Sequence, residues 1–315
     1  MLPTKEDILQ AYQRVQPYLH RTPVLSSTGI NEIAGTSVFF KCENFQKTGS
    51  YKTRGATNAV LKLTDEQKSK GIITHSSGNF AQAIAITGKN LGIKATVVMP
   101  ENAPTVKKNA VRGYGAEIVE CESTQKAREQ TVEEIQAKTG ASFIHPSNDL
   151  QVIYGQSTAF TELNEEVPDL DVVIVPVGGG GLIAGTAAAA HYLSPKTKVF
   201  GAEPMGADDA WQSFHAGKII PQTNPQTIAD GLRTSLGNFN FPIIKAWAED
   251  IIRVEEEEII AALKLVWERM KIIIEPSSAV AFAALLKEKD RFQNQKVGII
   301  VSGGNVDLKK LGKVF

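Results

Sequence analysis

Short apolar, β-branched runs alternate with helical patterns twice along this chain, and that alternation narrows the fold more than any other feature. From about Gly71, "GIITHSS" reads as a strand and "NFAQAIAITGKNLG" as a helix ending at Gly92. "KATVVMP" is then a strand, "APTVKKNAVRGYG" a helix, "AEIVEC" a strand, "STQKAREQTVEEIQAKTG" a helix and "ASFIHP" a strand. A second set follows with "DVVIVPV", the helix "GLIAGTAAAAHYL", "TKVFGAEP" and, much later, "KVGIIVSGG". Strands interleaved with helices in this way build parallel βαβ units. "KEDILQAYQRVQPYL" after Thr4 predicts a capped N-terminal helix, "SVFFKCE" a strand, and "EEEEIIAALKLVWERMKI" a long helix with an acidic, dipole-favoured start. No repeat at solenoid period and no low-complexity linker interrupts the chain, so two α/β lobes without a flexible tether are expected.

The 315 residues suffice for a large core or two. Lys plus Arg and Asp plus Glu both count 34, so no global field draws the chain to nucleic acid or to a membrane surface. Two cysteines, Cys42 and Cys121, fit a reducing compartment better than a disulfide scaffold. The N-terminal stretch lacks the apolar core of a signal peptide, and no apolar run approaches a membrane span. A cytoplasmic location is expected.

Ligands of open α/β sheets bind beyond the carboxyl ends of the strands, and three unusual segments sit there. "PVGGGGLIAG" (176–185) follows a strand and opens a helix, where free N–H groups and the helix dipole favour an anion, most naturally a phosphate. A tight turn without a ligand is the plainer alternative. A dinucleotide site is disfavoured because the spacing is not G-x-G-x-x-G. "HSSGNFAQA" (75–83) gathers Ser76, Ser77 and Asn79 at a helix start, where simple N-capping would also explain them. "VSGGN" (301–305) repeats the composition after another strand. Three such junctions in one chain point to a shared pocket.

"KTGSYKTRGA" (47–56) carries Lys52. An isolated lysine is ordinarily a solvated surface charge. A phosphate cup, hydroxyl-rich strand ends and this lysine together suit pyridoxal phosphate, which needs a phosphate cradle, a nucleophilic amine and a partner for its ring nitrogen.

With "SSGNFAQA", "PVGGGGLIAG", "TIADGLRTSLG" and "VSGGNVD", that segment resembles the successive motifs of the fold-type II pyridoxal-phosphate enzymes, and within them the serine/threonine dehydratase and serine racemase group. The likeness runs from about Thr22 to the C-terminus. It implies two open twisted α/β lobes of the tryptophan synthase β-subunit-like kind, with no appended regulatory domain. Residues 1–68 and 149–315 would form a large cofactor-binding domain, and 69–148 a small mobile domain closing over substrate. By position, Lys52 matches the Schiff-base lysine, Gly178, Gly179, Gly180 and Gly181 the phosphate loop, Asn79 the contact to the cofactor's 3-oxygen, and Ser302 the partner of the pyridine nitrogen. Ser76, Ser77 and Asn79 lie where the family binds the substrate carboxylate, with Ser77 as second acid/base. Arg128, in "QKAREQ", matches an arginine that closes over substrate, although a solvated helix face reads equally well. A homodimer is the family expectation.

"GAEPMGADDAWQS" (201–213) resembles the group's divalent-cation site, with Glu203, the Ala207 carbonyl and Asp209 as hard oxygen ligands for Mg2+, Ca2+ or Mn2+. Two carboxylates six residues apart would otherwise read as solvated acids. One departure stands out: Phe80 occupies the place where the family usually has histidine, which puts handling of a substrate side-chain carboxylate in question. The activity implied is a dehydratase converting serine- or threonine-type amino acids to 2-oxo acids and ammonia. Serine racemisation and threo-3-hydroxyaspartate dehydration are alternatives from the same group. A β-replacement enzyme of the cysteine synthase kind shares the fold, though its asparagine-loop motif reads differently. A non-catalytic amino-acid sensor is the alternative from another class.

Overall fold

A computed structural model describes residues 2–312. The strands are, in chain order, β1 (Val24–Leu25), β2 (Ser37–Cys42), β3 (Ile72–His75), β4 (Ala95–Pro100), β5 (Glu117–Cys121), β6 (Ser142–Phe143), β7 (Val172–Pro176), β8 (Lys198–Pro204), β9 (Asp250–Val254) and β10 (Lys296–Val301). They divide into a six-stranded sheet of order β1-β2-β10-β7-β8-β9 and a four-stranded sheet of order β5-β4-β3-β6. Every pairing is parallel except β1 with β2. Both faces of each sheet are covered, as parallel sheets require. Val172 and Ile174 of β7 enter one core and Val173 and Val175 the other, while Ile72 and Ile73 of β3 divide likewise between two smaller cores. The alternation follows from the two-residue strand period.

The expected elements form with trimmed ends. Thr4 and Asp7 make a reciprocal capping box on the helix Lys5–Val15, and Pro17 turns the remainder of that pattern into a 3-10 segment. The helix Asn79–Leu91 ends on Gly92 at φ 68°, and Glu256–Met270 starts from Glu255. Three helices that the sequence pattern did not reveal matter most for the site: Lys52–Leu61, Leu150–Glu166 and Pro276–Lys287. Each is buried nearly all round, so its polar and apolar residues show no helical stripe.

Lys52–Leu61 and Gly181–Leu193 both pack against Leu150–Glu166 at glycines. A Cβ on Gly55 would lie 2.7 Å from the Val152 carbonyl, one on Gly155 would lie 2.6 Å from the Arg54 carbonyl, and one on Gly185 would lie 2.5 Å from the Ile153 carbonyl. The close packing brings the start of the Lys52 helix and the start of the glycine-loop helix to the same end of the molecule. Among the described residues no helix is long and apolar enough to cross a membrane.

Candidate active site

Lys52 is the first residue of its helix, and a network around its neighbours fixes it. The Tyr51 N–H donates to the Ser302 carbonyl at 3.0 Å, just beyond β10, and Ser50 bridges to Gly303. The amine Nζ donates to the Pro146 carbonyl at 3.2 Å and lies 4.9 Å from the Tyr51 ring centre and 5.9 Å from that of Phe80. Phe80 is fully buried in the core of the smaller sheet, so an apolar ring, not a hydrogen-bonding imidazole, backs the amine.

The glycine segment follows β7 and opens the helix Gly181–Leu193, whose first N–H groups have no intrahelical acceptors. Its crowding accounts for the glycines. A Cβ on Gly178 would lie 2.7 Å from the Leu232 backbone, and one on Gly179 only 2.5 Å from the Ser147 hydroxyl and 3.1 Å from that of Thr234. Gly180 takes φ 77°, a left-handed conformation that side chains disfavour. Asn240 Nδ2 ties the loop down through the Gly179 carbonyl at 2.8 Å and the Ser147 carbonyl at 3.2 Å. Bare backbone, hydroxyls and a helix start make a cradle that suits a phosphate. Because Ser147 touches the cradle and Pro146 touches the amine, the two lie one residue apart along a single loop.

Ser302 is buried, with Oγ 3.0 Å from Ser278 Oγ on the helix Pro276–Lys287. Ser278 Oγ in turn accepts the Gly303 N–H at 2.8 Å. An uncharged hydroxyl pair is therefore what this strand end offers a ring nitrogen. Asn79 begins the helix after β3 and reaches across to the other sheet's side. Its Nδ2 lies 2.9 and 3.2 Å from the two Glu275 oxygens, and its Oδ1 accepts Asn305 Nδ2 at 2.9 Å. Ser76 and Ser77 precede it, half-buried, with the Gly78 N–H donating to Ser76 Oγ at 3.3 Å. Lys52, the glycine loop, Ser302 and Asn79, far apart in sequence, thus converge through shared contacts.

Glu275 was not legible in the sequence. Burial pushes its carboxyl up to about 7, against the opposing hydrogen bond from Asn79, with Asp230 and Lys107 further out. A carboxyl raised from 4.5 favours the protonated folded state. Its contribution to stability is therefore complete below about pH 4.5 and is lost as pH rises through about 7. Glu275→Gln should flatten this decline by at most about 3 kcal/mol, read from denaturant melts between pH 5 and 8. Parallel wild-type and variant curves would contradict the assignment.

His75 and His145 also join the site, although "ITHSS" and "FIHP" show them only as strand-end residues. Their rings lie 5.6 Å apart edge to face. Burial, His75 and Lys52 push His145 down to about 4, while burial and the charge of Arg128 lower His75. Arg128, half-buried on the helix Gln125–Thr139, thus makes its charge felt at the end of β3. Its Nε donates to the Thr124 carbonyl at 3.3 Å, and it has no carboxylate partner among the described residues.

Glu203 and Asp209 form a separate buried group at the end of β8. Glu203 accepts the Ala210 and Trp211 N–H groups at 3.0 and 2.8 Å, capping the helix Asp209–Ala216. Asp209 Oδ2 is buried without a hydrogen-bond partner. Burial, then Asp209, raises Glu203 well above the usual range, and burial pushes Asp209 up to about 7. Two crowded buried carboxyls with an orphan oxygen suit a hard cation, and the Ala207 carbonyl belongs to the 3-10 turn between them. Among the described residues no three His, Cys, Asp or Glu side chains are grouped so as to hold a metal ion by themselves. The two carboxyls, read bare, suggested solvated acids; their burial excludes that.

The sequence pattern of the family described as "Pyridoxal-phosphate dependent enzyme" matches residues 15–303. Serine racemase from Dictyostelium discoideum is 52% identical across 99% of this chain and 98% of its own. Its crystal structure superposes with a TM-score of 0.92, covering 96% of this chain and 98% of that one. The β-hydroxyaspartate dehydratase of Paracoccus denitrificans is 48% identical, with 98% of each chain covered. A threonine deaminase of known crystal structure, from T.th., is 43% identical, with a TM-score of 0.92 and coverage of 97% of this chain and 99% of its own.

Proposed function

The chain belongs to the family of pyridoxal-phosphate-dependent enzymes, and on that footing we propose that it is a dehydratase turning L-serine- and L-threonine-type hydroxy amino acids into 2-oxo acids and ammonia. The observation that carries this reading is the meeting of the Lys52 amine, the glycine cradle and the Ser302 hydroxyl through one set of contacts. Gly178 to Gly181 would hold the phosphate, Ser302 would face the ring nitrogen, and Asn79 the 3-oxygen. The bound cofactor supplies an electron sink for the carbon beside the amino group. Lys52 Nζ removes the proton from that carbon, the β-hydroxyl leaves as water, and the released enamine hydrolyses to 2-oxo acid and ammonia. Ser302, uncharged, does not hold a proton on the ring nitrogen as a carboxylate partner would. Ser76, Ser77 and Asn79 bind the substrate carboxylate at the start of their helix.

Serine racemisation is a second reading, favoured by Ser77. Its hydroxyl stands half-buried at the Asn79 helix start, and returning a proton to the α-carbon from that side would invert the centre. Ser77→Ala should then lose racemisation at least about tenfold more than elimination, since elimination uses Lys52 for deprotonation. Incubation of both proteins with L-serine, D-serine, L-threonine and threo-3-hydroxyaspartate, assaying oxo acid and enantiomer, checks this. Equal losses in the two reactions would mean that Ser77 positions ligand only, and no oxo acid from any substrate would overturn the dehydratase reading. Hydroxyaspartate draws support from Arg128, which has no carboxylate partner of its own among the described residues. A non-catalytic sensor would bind these amino acids without turnover.

Residues 69–148 would move as a small domain over the substrate. Two polar links to the larger part, Lys107 to Asp230 at 2.6 Å and Asn79 to Glu275, would open in that motion, while the apolar seam of Ala56, Ala59, Val60 and Val152 against the smaller sheet's core would serve as its pivot. A divalent cation, magnesium foremost, would sit at Glu203, the Ala207 carbonyl and Asp209. It would act at a distance. Asp209 accepts from Gln222, whose N–H is bound by Ser235, and the same segment carries Leu236 and Asn240 beneath the glycine loop. Chelation should lower activity and cost about 2–3 kcal/mol of stability, both restored by magnesium, manganese or calcium. Asp209→Ala should mimic the chelated protein. Unchanged activity and melting temperature after thorough chelation would remove the metal. Assembly as a homodimer completes the proposal, and light scattering tests it.

A further inference from the structure

We infer that His145 is a positioning residue: by accepting the backbone N–H groups of Ser147 and Asn148 on Nδ1, its ring holds one loop against both the Lys52 amine and the phosphate cradle. The inference rests on the reading of Lys52 and the glycine loop as the cofactor site, and it adds what sets the distance between them.

The two N–H groups lie 3.1 and 2.8 Å from His145 Nδ1, so that nitrogen must carry a lone pair and the ring proton must sit on Nε2. The neighbours enforce this state. Nδ1 faces two donors, Lys52 lies close enough to oppose a positive ring, and His75 packs edge to face against it. The charge of Arg128 discourages charge on the His75 ring too. A neutral imidazole is therefore built in, and its lowered basicity agrees with the geometry.

The held loop is short and touches everything that matters. Pro146 presents its carbonyl to Lys52 Nζ at 3.2 Å. Ser147 is buried, with its hydroxyl against Gly179 and its backbone against Gly181. Asn148 extends the anchoring, receiving the Phe239 N–H at 2.8 Å and donating to Asn238 at 2.8 Å. Asp149 then caps the helix Leu150–Glu166 through the Gln151 and Val152 N–H groups. Without an acceptor at residue 145, the Ser147 and Asn148 N–H groups would be left unpaired just where the loop must stay in register. The ring here does what an asparagine or aspartate side chain does in a turn, accepting from the backbone two and three residues on.

That likeness supplies the test, because asparagine Oδ1 sits as many bonds from the backbone as histidine Nδ1. His145→Asn should keep the loop, and His145→Leu should keep bulk but lose the acceptor. Protein freed of cofactor is titrated with pyridoxal phosphate, following tryptophan fluorescence and the visible band of the lysine-linked cofactor. Without cofactor, the reactivity of Lys52 towards acetic anhydride is mapped by peptide mass across pH. The asparagine variant should bind within about threefold of wild type and leave the Lys52 titration unmoved, whereas the leucine variant should bind about tenfold weaker or worse and shift it. If leucine prevents folding, judged by circular dichroism, His145→Ala replaces it. Equal affinities and equal Lys52 titrations in acceptor and non-acceptor variants would overturn the inference. Failure of the reading beneath it looks different: wild type itself would form no lysine-linked band, and pyridoxal phosphate would not protect Lys52 from the anhydride. That result would overturn both.

Discussion

Lys52→Ala is expected to lower turnover of every hydroxy amino acid by at least about ten-thousandfold and to abolish the visible absorbance of the lysine-linked cofactor. The magnitude reflects two losses at once, the covalent anchor and the base that takes the α-proton. Lys52→Arg separates this role from the alternatives. Arginine keeps the positive charge and could still contact a phosphate, yet it cannot give up its proton to act as nucleophile or base. The arginine variant should therefore be as inactive as the alanine one. The cradle itself is built from Gly178 to Gly181, Ser147 and Asn240, so both variants should still bind pyridoxal phosphate, with the spectrum of the free cofactor. Turnover in Lys52→Arg near the wild-type rate would reduce Lys52 to a charge, and turnover in Lys52→Ala without added amine would dismiss it altogether.

Arg54→Met should cost about 3–5 kcal/mol of folding stability, the largest loss expected of any single change away from the chemistry. Arg54 lies two residues beyond Lys52 and is fully buried. Its guanidinium meets Glu43 at 2.7 and 2.8 Å and Glu162 at 2.7 and 2.8 Å, and Lys41 adds a second buried cation 2.8 Å from Glu162. Burial alone would weaken the charge, but the two carboxylates outweigh it and hold the guanidinium more firmly protonated than usual. Methionine fills the space and leaves Glu43, among the described residues, with only the Thr22 hydroxyl as a side-chain donor. An exposed pair such as Lys68 with Asp65 offers the contrast, and its loss should leave the melt almost unmoved. Denaturant melts of both variants decide the matter. A loss below about 1 kcal/mol for Arg54→Met would mean that the buried cluster is dispensable.

What the sequence disclosed followed the physics of exposure. Segments with one wet and one dry face announced themselves, as with Lys5–Val15 and Glu256–Met270, because their apolar residues recur at the helical period. Leu150–Glu166 did not, since every residue from Val152 to Leu163 is buried, including Gln156, Ser157, Thr158 and Glu162. Gln156, Thr158 and Glu162 bond to Gly55 and Arg54 of the Lys52–Leu61 helix and Ser157 to its own helix backbone, so polarity no longer marks a surface. Pro276–Lys287 fails the test for the same reason. The edge strand β9 lay unread between two helices, its five residues too few to outweigh their surroundings.

The candidate site divides along a similar line. Lys52, Asn79, the four glycines and Ser302 lie in quotable segments, each at a strand or helix end where unusual composition has a local cause. Glu275, Ser278, Asn240 and His145 are supports. Each acts through a partner distant in the chain or through backbone atoms, so no local pattern betrays it. The "FIHP" histidine looked like the end of a strand; in space its ring is the hinge pin of the loop between amine and cradle.

The central claim is that Lys52 is the amine that takes the cofactor. Reducing the purified, cofactor-loaded protein with borohydride fixes that bond, and peptide mass mapping then finds it. The account predicts a single pyridoxyl phosphate addition on the peptide carrying Lys52. An addition on a different lysine, or none on a protein that still converts serine or threonine to oxo acid, would contradict it.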